Sequence, residues 1–186
     1  MNVHSATSSS TFFVGSCTMP GMTKRLVLIF TLCLVSVVCS SGQNKFPYEE
    51  YDPRTLAELV EHGIANNPDY KDAKQVMIEG KPFYSAVRVK FTGSSRPLSD
   101  AKKNLFKTWQ GALQMDPRVL DLLDKEYLFK ECDREYWVVV QKQVAAYFPK
   151  ELKEGDTITL YLMMVGGTKE KEGWEIVFLT NEYRKY

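Results

Sequence analysis

The strongest hydrophobic pattern lies in the last stretch of the chain. Apolar and polar positions alternate from Thr157 and merge into a continuous apolar run that ends at Val165, and a second strand-like segment covers Trp174–Tyr183. Such patterns are typical of β-strands. The glycine-rich segment from Gly166 to Gly173 separates them, so we predict a β-hairpin with a charged, solvated tip. Because an isolated hairpin is marginal in water, the rest of the chain must supply an apolar surface for it.

Four further segments predict strands upstream of this hairpin. Val76–Ile78 is a short apolar run, and Phe83–Phe91 alternates between apolar and basic or polar residues. That alternation indicates a strand with one buried face, which Gly93–Pro97 ends. Tyr127–Glu131 and Glu135–Val140 flank a three-residue turn, which predicts a second hairpin.

Four other segments have the apolar spacing of helices. Asp52 and Ser99 can each accept hydrogen bonds from the first amides of a helix, and Pro149 is expected to break or bend the last one. We predict helices that begin near Asp52, Asp100, Asp116 and Gln143. In the second of them Trp109 lies on the apolar stripe, so we assign it to the core.

The order of these elements indicates an α+β domain with an antiparallel sheet of about five strands and helices inserted after the first long strand. This order resembles that of the oligonucleotide/oligosaccharide-binding (OB) barrel over roughly residues 76–183. The resemblance is in element order alone and includes no sequence motif. A generic α+β sheet with helices on one face explains the pattern nearly as well.

A segment at the start of the chain is typical of a secretory signal peptide. Lys24 and Arg25 precede an apolar run at 26–38, and small residues follow at 39–42. The run of about thirteen residues is shorter than the roughly twenty that a transmembrane helix needs. We predict a non-native leader or disordered extension at 1–21, a signal peptide at 22–42 and a single secreted α+β domain at 43–186. A permanent membrane anchor and a genuine long leader remain alternatives.

The cysteines bear on the cellular location. Cys39 is a candidate for lipidation, although Val38 fits a lipoprotein cleavage site poorly. We therefore predict a secreted or periplasmic protein, with a lipid anchor to the cell envelope as the alternative. If cleavage falls beyond Cys39, Cys132 is the one remaining cysteine, and an internal disulfide is impossible. We interpret Cys132 as a half-buried structural thiol.

Composition and charge disfavour one class of function. The chain is 44% hydrophobic and 25% charged, as in an ordinary globular domain. Removal of Lys24 and Arg25 from the 24 basic residues leaves 22 against 23 acidic residues, so the mature chain is close to neutral. A near-neutral chain has no electrostatic footprint for a polyanion, which disfavours nucleic-acid binding.

Few side chains suggest catalysis or the binding of a metal or cofactor. His62 is the only histidine after the leader, so the sequence predicts no metal site, no nucleophile paired with a histidine base and no cofactor. Two carboxylates could cleave a glycosidic bond, and the candidates are Glu135 with Glu175 or Glu182. The simpler interpretation is that these are solvent-facing strand charges.

Aromatic and basic residues are the most suggestive remaining feature. Trp137 follows Tyr136 on a predicted strand, so the two side chains point to opposite faces and one of them is available to a ligand. The candidate binding residues are Tyr84, Arg88, Lys90, Arg96, Tyr136 and Trp137. Packing in the core is the alternative for the aromatic members.

The sequence as a whole favours a secreted or envelope-associated, non-catalytic binding domain of unknown ligand, with an unknown envelope or extracellular partner. It predicts membrane contact only through the signal peptide or a lipid on Cys39. The alternatives are a small carboxylate-dependent glycan hydrolase and an exported structural or assembly protein whose hairpin adds to another sheet.

Overall fold

The computed structural model of the protein describes residues 46–65, 76–81, 83–170 and 173–186. The predicted leader and the signal peptide with Cys39 lie outside the described residues and stay predictions. None of the helices in the described ranges is long and apolar enough to cross a membrane.

The described residues form an α+β fold, which confirms the predicted class. Two 3-10 helices, at Tyr48–Glu50 and Pro117–Leu122, join the regular elements. The α-helices and β-strands are, in chain order, β1 (Asp52–Arg54), α1 (Leu56–Ala65), β2 (Val76–Ile78), β3 (Tyr84–Pro97), α2 (Asp100–Ala112), β4 (Lys125–Glu131), β5 (Arg134–Val140), α3 (Lys142–Ala145), α4 (Phe148–Glu151), β6 (Thr157–Glu170) and β7 (Gly173–Lys185). The sheet has seven strands and is mixed, where the sequence predicted about five antiparallel strands, because β1 and β2 add to it and the β1–β3 and β5–β7 pairings are parallel.

Five of the strands are linked in a closed cycle of pairings, which we call the ring. β3 pairs with β4, β4 with β5, β5 with β7, β7 with β6, and β6 again with β3. The β5–β7 pairing is parallel and the other four are antiparallel. β3 can serve two neighbours because its first half, Tyr84–Lys90, pairs with β6 and its second half pairs with β4. β1 and β2 add to the outer edges of β3 and β6.

β3 continues past the residues that the sequence predicts to end it. The pairing with β4 shifts register between Phe91 and Ser95, where Gly93 has a φ of +80°. Gly93 therefore forms a β-bulge and does not end the strand, because glycine adopts positive φ without steric cost. The strand therefore runs on to Pro97, and it carries Arg96 into register with Glu126.

Two apolar layers cover the two faces of the ring. The inner layer gathers alternate residues of all five strands with apolar side chains of α1, α3 and α4, and the outer layer lies under α2. Along β6, Leu162 and Met164 belong to the inner layer, and Met163 and Val165 to the outer one. The apolar run in β6 is continuous because both faces of the strand are buried there.

The predicted helix starts are partly confirmed. The Ser99 side chain caps α2, and Asp116 caps the 3-10 helix that stands where an α-helix was predicted. The last predicted helix is two short helices, α3 and α4, with Pro149 in the first turn of α4. Tyr183 packs edge-on against Phe148 of α4. Burial raises the pKa of the Tyr183 hydroxyl, and its hydrogen bond to the Glu151 carboxylate raises the pKa further.

The start of α1 differs from the prediction. Asp52–Arg54 forms β1, in parallel pairing with β3, and not the first helical turn. The helix is capped by Thr55, whose Oγ1 accepts from the Glu58 amide at 3.1 Å while the Glu58 carboxylate accepts from the Thr55 amide at 2.9 Å. The Glu131 carboxylate accepts from the next two amides, at 2.8 and 3.1 Å. β4 therefore supplies a cap for α1 that no local pattern indicates.

The terminal hairpin is confirmed, but its glycines do not all form the turn. Gly166, with a φ of +152°, lies within β6 where the pairing with β7 shifts register, and the strand continues to Glu170. A Cβ atom on Gly166 would lie 2.0 Å from the Met77 carbonyl oxygen of β2. Glycine is required here because the backbone of β2, which pairs with β6 at this position, occupies the space that a Cβ atom would need.

We expect Gly166→Ala to lower the free energy of unfolding by at least about 2 kcal/mol, because the new methyl group forces β2 away from β6. Urea denaturation measures the change. Gly80→Ala is the matched control, since a Cβ atom there meets nothing within 4 Å and its φ is not positive. Equal stability of the two variants would contradict the close approach of β2.

Candidate functional site

β5 and β7 enclose a cleft at the end of the ring where both strands begin. Their parallel pairing covers Val139 with Leu179 and Val140 with Thr180. Towards their first residues the strands diverge and leave a cleft of about 220 Å³. We call it the β5–β7 cleft; its lining residues are Val60, Glu135, Tyr136, Trp137, Trp174, Glu175, Ile176 and Phe178.

Three half-buried aromatic side chains line the β5–β7 cleft. Tyr136 and Trp174 pack against the inner apolar layer, whereas Trp137, the next residue of β5, turns to the outer face. The Arg96 guanidinium lies over the Trp137 ring, 4.0 Å from its centroid. A cation at this distance is attracted to the face of an indole ring, so Arg96 holds Trp137 in place.

A buried ionic network supports one wall of the cleft. The Lys102 ammonium donates to a Glu126 carboxylate oxygen and, at 2.8 Å, to Oε1 of Glu175. Arg96 Nε donates to the other Glu126 oxygen at 2.5 Å. The side chains of Lys102 and Glu126 are 2% and 1% exposed, whereas Glu175 is 31% exposed and reaches the cleft. Two cations balance two anions, and the network fixes Glu175 and Arg96 beside Trp137.

α2, which lies between β3 and β4 in the chain, places Lys102 in this network. Lys102 shares the buried face of α2 with Leu105, Phe106 and Trp109, so the capped helix directs its ammonium group towards the sheet. The sequence analysis did not identify this lysine. The available signal was its position three residues before Leu105 and seven before Trp109, which puts a lysine on the apolar stripe.

The predicted binding residues fall into different surroundings. Tyr136 and Trp137 line the cleft, and Arg96 lies over the Trp137 ring. Lys90 lines an adjoining groove of about 370 Å³ that shares Glu135 with the cleft. The other two are engaged separately: Arg88 lies over the ring of Tyr186, and Tyr84 packs beside Tyr51.

The candidate carboxylates also separate. Glu135 and Glu175 line the same cleft. Glu182 is paired with Tyr161 at the other side of the hairpin, and its carboxylate accepts from the Tyr183 amide.

The remaining candidates have structural surroundings. His62 is exposed on α1 and stacks on Phe83, with ring centroids 5.1 Å apart. Trp109 is buried, as predicted. Cys132 is exposed and not half-buried, because it occupies the β4–β5 turn with a φ of +52°. Within the described ranges no three potential metal-ligating side chains come together.

We expect Lys102→Met to lower the free energy of unfolding by about 3–5 kcal/mol, because it leaves the buried Glu126 carboxylate without its lysine. Lys103→Met is the matched control, since Lys103 pairs with Asp100 on the exposed face of the same helix and should cost about 1 kcal/mol or less. Chemical denaturation distinguishes the two, and equal losses would show that the network is not buried.

Comparison with known proteins assigns no family to this chain. A scan against protein-family models found no match, and a search of curated proteins found no similar sequence.

Proposed function

We propose that this protein is an exported, non-catalytic binding domain whose β5–β7 cleft holds a saccharide chain. Three aromatic side chains and two carboxylates from β5 and β7 that line this cleft carry the proposal. The signal-peptide pattern supports a secreted or periplasmic location, or attachment to the envelope through lipid on Cys39.

We also propose that the ring is an OB-like barrel. The cycle β3-β4-β5-β7-β6, with a parallel pairing between its third and fifth strands in chain order, supports this proposal, as does the helical segment α3–α4 between its third and fourth strands. OB folds bind oligonucleotides or oligosaccharides across their second and third strands, which correspond here to β4 and β5.

The chemistry of the cleft favours a saccharide over a nucleic acid. Sugar rings present apolar C–H faces, which aromatic rings cover, and hydroxyl groups, which donate to carboxylates such as Glu135 and Glu175. The Glu135 carboxylate lies outside the ionic network and repels phosphates. The ionic network around Glu175 is neutral, so it offers hydrogen-bonding groups without a net charge to attract a polyanion.

The adjoining groove supports a chain rather than a single sugar. Glu135 forms part of the wall of both the cleft and the groove that contains Lys90, Leu128 and Lys130. A saccharide with one ring against Trp137 would therefore continue across the outer face of β4 and β3.

We expect Trp137→Ala to weaken the binding of a neutral hexasaccharide about tenfold, because loss of one aromatic contact costs about 1.5 kcal/mol. Titration calorimetry with hexamers of glucose and of N-acetylglucosamine measures the affinity, and near-ultraviolet circular dichroism checks the fold.

Tyr186→Ala is the matched control for this truncation. Tyr186 is also an aromatic residue under an arginine, Arg88, but it lies away from the lining of the cleft, so its loss should leave affinity unchanged. Equal losses in both variants, or no binding by the wild-type protein to envelope polysaccharide or either hexamer, would contradict the proposal.

The shared position of Glu135 and Glu175 favours one alternative, a glycan hydrolase. Such an enzyme needs one carboxylic acid and one carboxylate on either side of the bond. Glu175 already accepts from Lys102, so it would be the carboxylate and Glu135 the acid.

For a binding domain we expect no new reducing ends after long incubation of the hexasaccharides with the wild-type protein. A hydrolase would release them, and both Glu135→Gln and Glu175→Gln would then abolish the release. Glu182→Gln, outside the cleft, serves as the control and would retain it. Release of this pattern would replace the binding proposal with the enzymatic one.

A further inference from the structure

A separate pocket, on the solvent side of the outer apolar layer, lies between α2 and the 3-10 helix at Pro117–Leu122. Its volume is about 340 Å³, roughly twice that of a cavity that holds benzene. We call it the α2 pocket. The lining residues are Pro97, Leu98, Lys103, Phe106, Lys107, Leu120, Leu123 and Asp124.

The walls of the α2 pocket are apolar. Leu98 and Phe106 are buried members of the outer layer, and Leu120 and Leu123 pack against that layer with part of their surface exposed. Apolar walls in an open pocket of this size suit an aliphatic or aromatic ligand group.

The rim of the α2 pocket has an excess of positive charge. Lys103 and Lys107 are four residues apart on α2, so their side chains are neighbours on one face. Lys103 forms an exposed pair with Asp100, which is itself fully exposed, and Lys107 has no ion pair within the described part of the chain. Asp124 is the acidic member of the rim, and it lies 3.9 Å from the Lys142 ammonium.

We propose that the α2 pocket binds a monoanionic amphiphile, namely a medium-chain fatty carboxylate. The alkyl chain lies among Leu98, Phe106, Leu120 and Leu123. The carboxylate lies between Lys103 and Lys107. This site shares no lining residue with the β5–β7 cleft, so the inference does not depend on the saccharide proposal.

Titration calorimetry of the mature chain with decanoate, below its micellar concentration, tests the site. We expect saturable 1:1 binding. Octanoate should bind about fifteenfold more weakly, since each buried methylene contributes about fourfold in affinity. Decanol, which lacks the charge, should bind at least fivefold more weakly than decanoate.

Substitutions test whether decanoate binds in this pocket. Lys107→Gln should weaken decanoate binding at least fivefold, and Leu120→Trp, which fills the pocket from its rim, should abolish it. Lys150→Gln, an exposed lysine on α4, and Trp137→Ala, in the cleft, should leave it unchanged. The inference is overturned if decanoate shows no saturable binding, if decanol binds as well as decanoate, or if the Lys107 and Leu120 variants both bind like the wild type.

Discussion

The antiparallel pairing of β3 with β6 is the interaction on which the rest of the structure depends. It runs from Tyr84 opposite Met163 to Lys90 opposite Thr157, and it joins the first long strand of the sheet to the terminal hairpin. Without it the strands would form an open sheet with unpaired edges, which is prone to associate with other chains. With it, the inner faces of five strands enclose one apolar layer, and the apolar outer face of β5, β6 and β7 has to be covered by α2.

The candidate site is a consequence of the same closure. The β5–β7 pairing that helps to close the ring covers two residue pairs. The first halves of these two strands therefore separate, and side chains of both strands line the opening. α2, which covers the outer layer, also brings Lys102 to the edge of the opening. The lysine links the helix to β4 through Glu126 and to β7 through Glu175. One helix thus seals the outer layer and supports one wall of the cleft.

Local patterns in the sequence predict most of the elements and little of the site. The alternation in Val87 and Val89 and the serine before α2 are local signals, and both predictions are confirmed. The burial of Lys102 depends on carboxylates 24 and 73 residues away, which no local window contains. Arg96, Tyr136, Trp137, Glu135 and Glu175 could be identified as candidates from residue type. Their gathering in and beside one cleft could not, because it results from long-range pairing and from the bulge that extends β3.

The three tryptophans offer a direct measurement of where a ligand binds. Trp137 and Trp174 line the cleft, whereas Trp109 is buried on the face of α2 that packs against the sheet. Nuclear magnetic resonance resolves one indole N–H signal for each during titration with the hexasaccharide. If the cleft is the binding site, the signals of Trp137 and Trp174 shift with saturation and that of Trp109 stays in place. Shifts confined to Trp109, or saccharide binding that moves none of the three signals, would contradict this account.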